Sequence, residues 1–281
     1  MLERLSNSWR LVKASAEVLR ADKELIVFPI VSAGLSLLVV VTFVVPMAVV
    51  GIFESAASAS GVPVVGWVLG FLFYVVQYFV IFFCNTALVG AALIRLRGGD
   101  PTVADGFRIA GSRLGVILGY ALIAATVGMI LRAISQRSGF IGKLVIGLVG
   151  LAWNLATYLV VPVLAVENVG PIEAVKRSSA YLRKTWGEQI AGNLGMGFAF
   201  GLIGFATVVL GAALFVLAAL AESVVLMVLV AGLVVIALVA NALVSSALGG
   251  VYAAAVYRYA AEGDAGSFFT PDMVRNAFRP K

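Results

Sequence analysis

Histidine is absent from all 281 positions and cysteine occurs once, so two staples of enzyme chemistry are nearly missing. Without histidine the commonest general base, the commonest metal ligand and the usual sensor of pH near neutrality are excluded. A single cysteine cannot build a disulfide framework within the chain. Cys84 lies in an apolar run and reads as a small core hydrophobe. Charge is scarce as well: Asp, Glu, Lys and Arg make up 12% of residues, against about a quarter in a soluble domain.

Apolar residues fill the space. They reach 62% and the mean hydropathy is +1.08, too great an excess for a core of this size without lipid to absorb it. A helix needs about 20 apolar residues to cross the hydrocarbon. Six runs are candidates: 26–53, 64–94, 114–131, 144–166, 190 to near 220, and 224 to near 257. Only Ala221-Glu222-Ser223 separates the last two, which implies a tight turn. The runs are continuous, whereas barrel strands would alternate over about 10 residues, so an all-α bundle of six spans is expected. The charged amphipathic stretch before the first run, and that run's full length, read as a retained span and not a cleavable signal.

Seventeen of the 20 basic residues fall in four segments between or outside hairpins. The other three, Arg132, Arg137 and Lys143, are expected together in one loop on the opposite side. The positive-inside rule then puts both termini in the cytoplasm of a cell with a plasma (inner) membrane. The net charge of +6 reads as membrane-surface charge, not as a nucleic-acid face.

The basic segments are amphipathic. Leu2, Leu5, Trp9, Val12, Ala16 and Leu19 recur at helical steps. Asp100 and Pro101 are expected to cap and open a second short helix, with Val103, Phe107, Ala110 and Leu114 as its stripe. Gly170-Pro171 opens a third, with Val175, Ser179, Leu182 and Trp186. Thr270-Pro271-Asp272 opens a fourth, with Met273, Ala277 and Phe278. Basic helices carrying Trp lie in the headgroup plane, where anionic lipid attracts each cation by about 1 kcal/mol. Arg10, Lys13, Arg20, Arg108, Arg113, Lys176, Arg177 and Arg183 are therefore the candidate lipid-headgroup contacts. The competing reading is that these elbows only connect and anchor hairpins.

The chain also resembles itself. A shift of 163 residues superposes Lys13, Ser15, Leu19 and Arg20 on Lys176, Ser178, Leu182 and Arg183, and Arg95 on Arg258. A shift of 70 aligns Pro101, Ala104, Ala110 and Arg113 with Pro171, Ala174, Ala180 and Arg183. Residues 1–281 thus read as one membrane domain of three units in the same orientation, 1–99, 100–169 and 170–260, with a cytoplasmic tail at 261–281. Each unit is an amphipathic elbow followed by a transmembrane hairpin.

The stretch Val161-Pro162-Val163-Leu164-Ala165-Val166-Glu167-Asn168, then Gly170-Pro171-Ile172-Glu173-Ala174-Val175-Lys176-Arg177-Ser178, resembles a group of uncharacterised prokaryotic six-helix membrane proteins. Ser8-Trp9-Arg10, Lys23-Glu24-Leu25 and Phe28-Pro29 fit the same group. More loosely, the chain is similar to the membrane domain fused to some glycerophosphodiester phosphodiesterases. That resemblance implies a link to lipid metabolism and carries no catalytic residue with it.

All 14 acidic residues fall outside the middle of the spans. Proton-coupled transporters and intramembrane aspartyl proteases need carboxylates there. No enzyme, metal site or cofactor is expected. Uncharged polar residues do occur in the spans. If Asn85, Asn154, Asn193 and Asn241 converge they would line a cavity; otherwise each makes an interhelical bond of about 0.6 kcal/mol. Small-residue rows at Gly111, Gly115 and Gly119, at Gly66 and Gly70, at Gly197 and Gly201, and at Ser246, Gly250 and Ala254 suit close packing or self-association into a homo-oligomer. Pro46 and Pro162 are expected to kink their helices. The expected function is a non-enzymatic membrane protein engaging anionic lipid or partner proteins through basic elbows. The alternative is a passive transporter or channel for a small neutral or hydrophobic solute.

Overall fold

The computed structural model describes residues 2–49, 51, 64–186, 195–264, 266–269 and 274, and every extended element among them is a helix. Helix α1 (Leu2–Ala21) leads through a 3₁₀ turn (Lys23–Ile26) into α2 (Val27–Val49), and α3 (Val64–Leu96) returns. A short α4 (Val103–Gly111) precedes α5 (Leu114–Arg137) and α6 (Phe140–Ala156), which continues after a break as α7 (Val160–Val166). Finally α8 (Pro171–Trp186) precedes α9 (Gly195–Leu220) and α10 (Val224–Glu262). Six stretches are long and apolar enough to cross a membrane: Lys23–Val49, Val64–Leu96, Leu114–Arg137, Phe140–Val166, Phe200–Leu220 and Val224–Glu262. Asn193, the elbow opened by Thr270, the side chains of Trp9 and Trp186, and the packing around Gly197 lie outside the described residues.

Three boundaries differ from the sequence reading. Arg132 and Arg137 continue α5 and Lys143 lies in α6, so the expected basic loop shrinks to Ser138 and Gly139. Arg, Ala and Gln in that stretch favour helix, and the first conformationally free residue is Gly139. The fourth span breaks at 157–159, one turn before Pro162. Proline supplies no N–H to the carbonyl of Tyr158, so the turn ahead of it opens. Helix α4 is capped by Thr102, not Asp100. The Thr102 hydroxyl accepts the Asp105 N–H at 3.2 Å and the Asp105 carboxylate accepts the Thr102 N–H at 3.0 Å. Glu24 accepts the Val103 N–H at 2.8 Å, so three otherwise orphaned donors are satisfied.

Burial is concentrated at the elbow end of the bundle. Helix α3 is buried from Cys84 to Leu96 and α10 from Ala247 to Tyr257, whereas α2 buries only Phe28 and Pro29, and α6 buries nothing. The outer parts of α2, α6, α9 and α10 present exposed Val, Leu, Ile and Phe, as helices facing lipid should. Each elbow packs on the returning helix of another hairpin: α4 on α3, α8 on α7, and α1 on α10. The last contact brings the two ends of the chain's helical series together.

The buried elbow faces are wider than the expected stripes. On α1, Val12 of that stripe is buried with Phe200 and Leu248, and Ala16 and Leu19 pack beside it half-buried, while Leu11, Ala14, Ser15 and Val18 add a second inward face. From α8 the inward residues are Ala174, Ser178 and Leu182, and Val175 and Ser179 stand at the edge. Small side chains permit the closest approach, so they take the centre and larger apolar ones flank them. The 163-residue register carries buried Ser15 onto buried Ser178; the 70-residue register instead carries Ser178 onto exposed Arg108. Of the glycine rows, Gly250 packs on Leu88 and Gly119 on Pro171, but Gly70, Gly111, Gly115 and Gly201 have open space where a Cβ would be.

Candidate functional site

With Ala174, Ser178 and Leu182 turned inward, the opposite arc of α8 carries Ile172, Lys176 and Arg183 into the surroundings. Lys176 and Arg183 are exposed and meet no acidic partner among the described residues; Ile172 beside them is 63% exposed. Arg10 and Arg20 occupy the same outward position on α1, also without an acidic partner among the described residues, and Lys13 is exposed there. Cations next to an exposed isoleucine suit a surface at the boundary of water and hydrocarbon.

The remaining headgroup candidates are held by the protein. Arg108 pairs with Asp105 one turn back in α4. Arg113 donates to the Asn168 side-chain oxygen at 2.7 Å, tying the start of α5 to the loop before α8. Arg177 pairs with Glu167 and, at 3.5 Å, with Glu173.

Glu167 organises a cluster that the sequence reading did not single out. Its carboxylate is 11% exposed and accepts the Tyr181 hydroxyl at 2.9 Å and the Tyr257 hydroxyl at 3.0 Å, besides Arg177. The two rings meet edge to face at 5.9 Å. Burial, then the neighbouring carboxylate, push the Tyr181 hydroxyl above its ordinary pKa, so it stays protonated and donating. One side chain thereby fastens α7, α8 and α10 together.

Arg95 and Arg258, aligned by the 163-residue shift, do comparable work. Arg95 reaches Asp22 at 3.4 Å and also pairs with Asp100. Arg258 pairs with Glu262 at 3.2 Å and Asp264 at 2.6 Å, and donates to the Leu96 carbonyl at the end of α3. Burial raises the Asp22 carboxyl above its ordinary pKa, against the opposing pull of Arg95.

The span amides are dispersed. Asn154 is exposed on α6, Asn85 is half-buried on α3, and Asn241 donates to the Phe200 carbonyl of α9 at 3.3 Å. Among the described residues no three His, Cys, Asp or Glu side chains are grouped so as to hold a metal ion.

A family model matches residues 64–268, from the start of α3 to beyond α10. The chain belongs to the family of unknown function DUF6159. No curated protein matches it. The DUF6159 match takes in Lys176, Arg183 and the Glu167 cluster, while Arg10 and Arg20 on α1 precede it.

Proposed function

We propose that this DUF6159 member is a non-enzymatic, multi-pass protein of the inner membrane that engages anionic lipid through its basic elbows. Both termini lie in the cytoplasm on this reading, as the distribution of Lys and Arg suggests. One observation carries the proposal: Arg10, Arg20, Lys176 and Arg183 are exposed without acidic partners among the described residues, although Arg177 on α8 and Arg108 on α4 are neutralised within the protein. Attraction of about 1 kcal/mol per cation to an anionic leaflet is enough, over four such residues, to enrich acidic lipid around the elbows. Passive transport is less well supported, because Asn154 is exposed on α6 while Asn241 already donates to the Phe200 carbonyl of α9.

The test is to recover the full chain in native nanodiscs and quantify co-purified lipids by mass spectrometry. Acidic lipid should be enriched over the bulk membrane, and the enrichment should disappear when Arg10, Arg20, Lys176 and Arg183 are replaced by Gln. Indifference of the wild-type protein to headgroup charge would overturn the proposal. A reporter fused after Lys281 checks the orientation independently.

A further inference from the structure

At the end of the bundle remote from the elbows, α3 and α5 part to leave a cleft of about 250 Å³. Gly66 and Gly70 on α3 and Ala133 on α5 line it, and a Cβ at Gly70 would meet nothing within 4 Å. The space therefore exists because the side chains there are minimal.

Arg132 enters this cleft from α5 and donates through Nη1 to the Tyr74 hydroxyl of α3 at 2.7 Å. That bond uses one of the five guanidinium N–H groups and leaves the Tyr74 O–H free to donate. Arg132 meets no carboxylate among the described residues. It lies five residues before the end of α5, about 7.5 Å inside it at 1.5 Å per residue. Held against Tyr74 in a cleft with apolar walls, this guanidinium keeps N–H groups available to an anion. Arg137, at the helix end itself, makes no comparable contact among the described residues.

Gln136, one turn beyond Arg132, adds an amide, while Trp67 and Met129 supply apolar wall. Trp67 is itself 53% exposed, so the apolar wall of the cleft reaches the surroundings and opens towards acyl chains.

We infer that this cleft is a second lipid site, holding the phosphate of an anionic phospholipid from the leaflet opposite the elbows. Arg132, Tyr74 and Gln136 donate to the phosphate, and an acyl chain leaves along Trp67 and Met129. The volume suits a headgroup phosphate and its glycerol, with the chains remaining in the bilayer. No residue is shared with the elbow surface, so either site can fail without the other.

The experiment is native mass spectrometry of the full chain in detergent, titrated with phosphatidylglycerol, with phosphatidylcholine or with inorganic phosphate. Phosphatidylglycerol should bind, Arg132→Gln should weaken one binding event roughly tenfold or more, and Arg132→Lys should retain most of it. Gly70→Leu, which fills the opening and leaves Arg132 in place, should abolish the same event, whereas Lys176→Gln with Arg183→Gln should spare it. Circular dichroism and size exclusion establish that each variant is folded. Equal phosphatidylglycerol affinity in wild type, Arg132→Gln and Gly70→Leu overturns the inference. So does equal binding of phosphatidylcholine, or displacement of the lipid by inorganic phosphate.

Discussion

The hydroxyl of Ser178 accepts the backbone N–H of Leu159 at 3.0 Å, joining elbow α8 to the break between α6 and α7. Ser15, its counterpart 163 residues earlier, is equally buried against α10, yet its hydroxyl has no partner. The difference lies in the receiving helix. Helix α10 is continuous where α1 crosses it and keeps its N–H groups to itself, whereas the break before α7 frees one. Ser178→Ala should therefore strand a buried donor and cost about 1–3 kcal/mol, while Ser15→Ala should be neutral or slightly stabilising. Thermal unfolding in detergent, followed by intrinsic fluorescence, compares the two directly. Equal losses would mean that the hydrogen bond contributes nothing beyond packing.

Gly106 sits where α4 presses on α3. A Cβ there would come 2.7 Å from the Ala87 carbonyl oxygen and closer still to the ring of Phe28. Because one obstacle is backbone, Gly106→Ala should force the elbow outward and cost about 1–3 kcal/mol, despite the helix-propensity gain. At Gly111, in the last turn of the same helix, a Cβ meets nothing within 4 Å, so Gly111→Ala should gain up to about 1 kcal/mol. Opposite signs in denaturant midpoint are the expected result. Two losses would show that α4 tolerates no added bulk at all.

Much of this architecture was legible in the residues because lipid relaxes the usual need for alternation: a run such as 224–257 can only be a span. The Gly170-Pro171 helix start was legible too, since proline at the first turn needs no partner. The inward faces of α1 and α8 were less so. Ala14, Ser15, Ala174 and Ser178 weigh little on any hydrophobic scale, yet they decide how close two helices come. The Glu167 cluster was hidden for another reason. Tyr257 is 90 residues away and arrives only when α10 packs beside α7 and α8, a contact that no local period records. Arg132 and Tyr74, 58 residues apart, are the same case.

Removing Glu167 should test how far three helices depend on one carboxylate. Glu167→Ala leaves the Tyr181 and Tyr257 hydroxyls without their acceptor, and a loss of about 3 kcal/mol is expected. The Arg177 share should be small, since that side chain is 44% exposed and screened by water. Tyr257→Phe removes one bond to a charged acceptor and should cost about 1.5 kcal/mol or more. Glu167→Gln keeps an acceptor for the tyrosines and should fall between. Chemical unfolding in detergent ranks the three variants; a Gln variant as damaging as the Ala variant would put the charge, and hence Arg177, in control.

The two perturbed carboxyls near the elbows should answer acid in opposite senses. Hydrogen bonds from Thr102, with the charge of Arg108 behind them, hold the Asp105 carboxyl below its ordinary value of 3.8. A group depressed in the folded state stabilises above its unfolded pKa, and that contribution is lost as pH falls through the folded value. Asp22, raised by burial, behaves in reverse: its contribution is present in acid and is lost as pH rises through its elevated value. Asp105→Asn should thus melt below wild type at neutral pH, with the gap closing as the pH is taken well under 3.8. Arg95→Gln strips Asp22 of its counter-ion, moves its titration higher still, and should cost more at neutral pH than in acid. Melting temperatures of both variants, taken from neutrality down to about two units below the ordinary carboxyl value of 3.8 that the two groups share, separate the two effects. If the Asp105→Asn gap stays constant throughout, the capping carboxylate acts by shape alone and its charge is not what holds α4 in place.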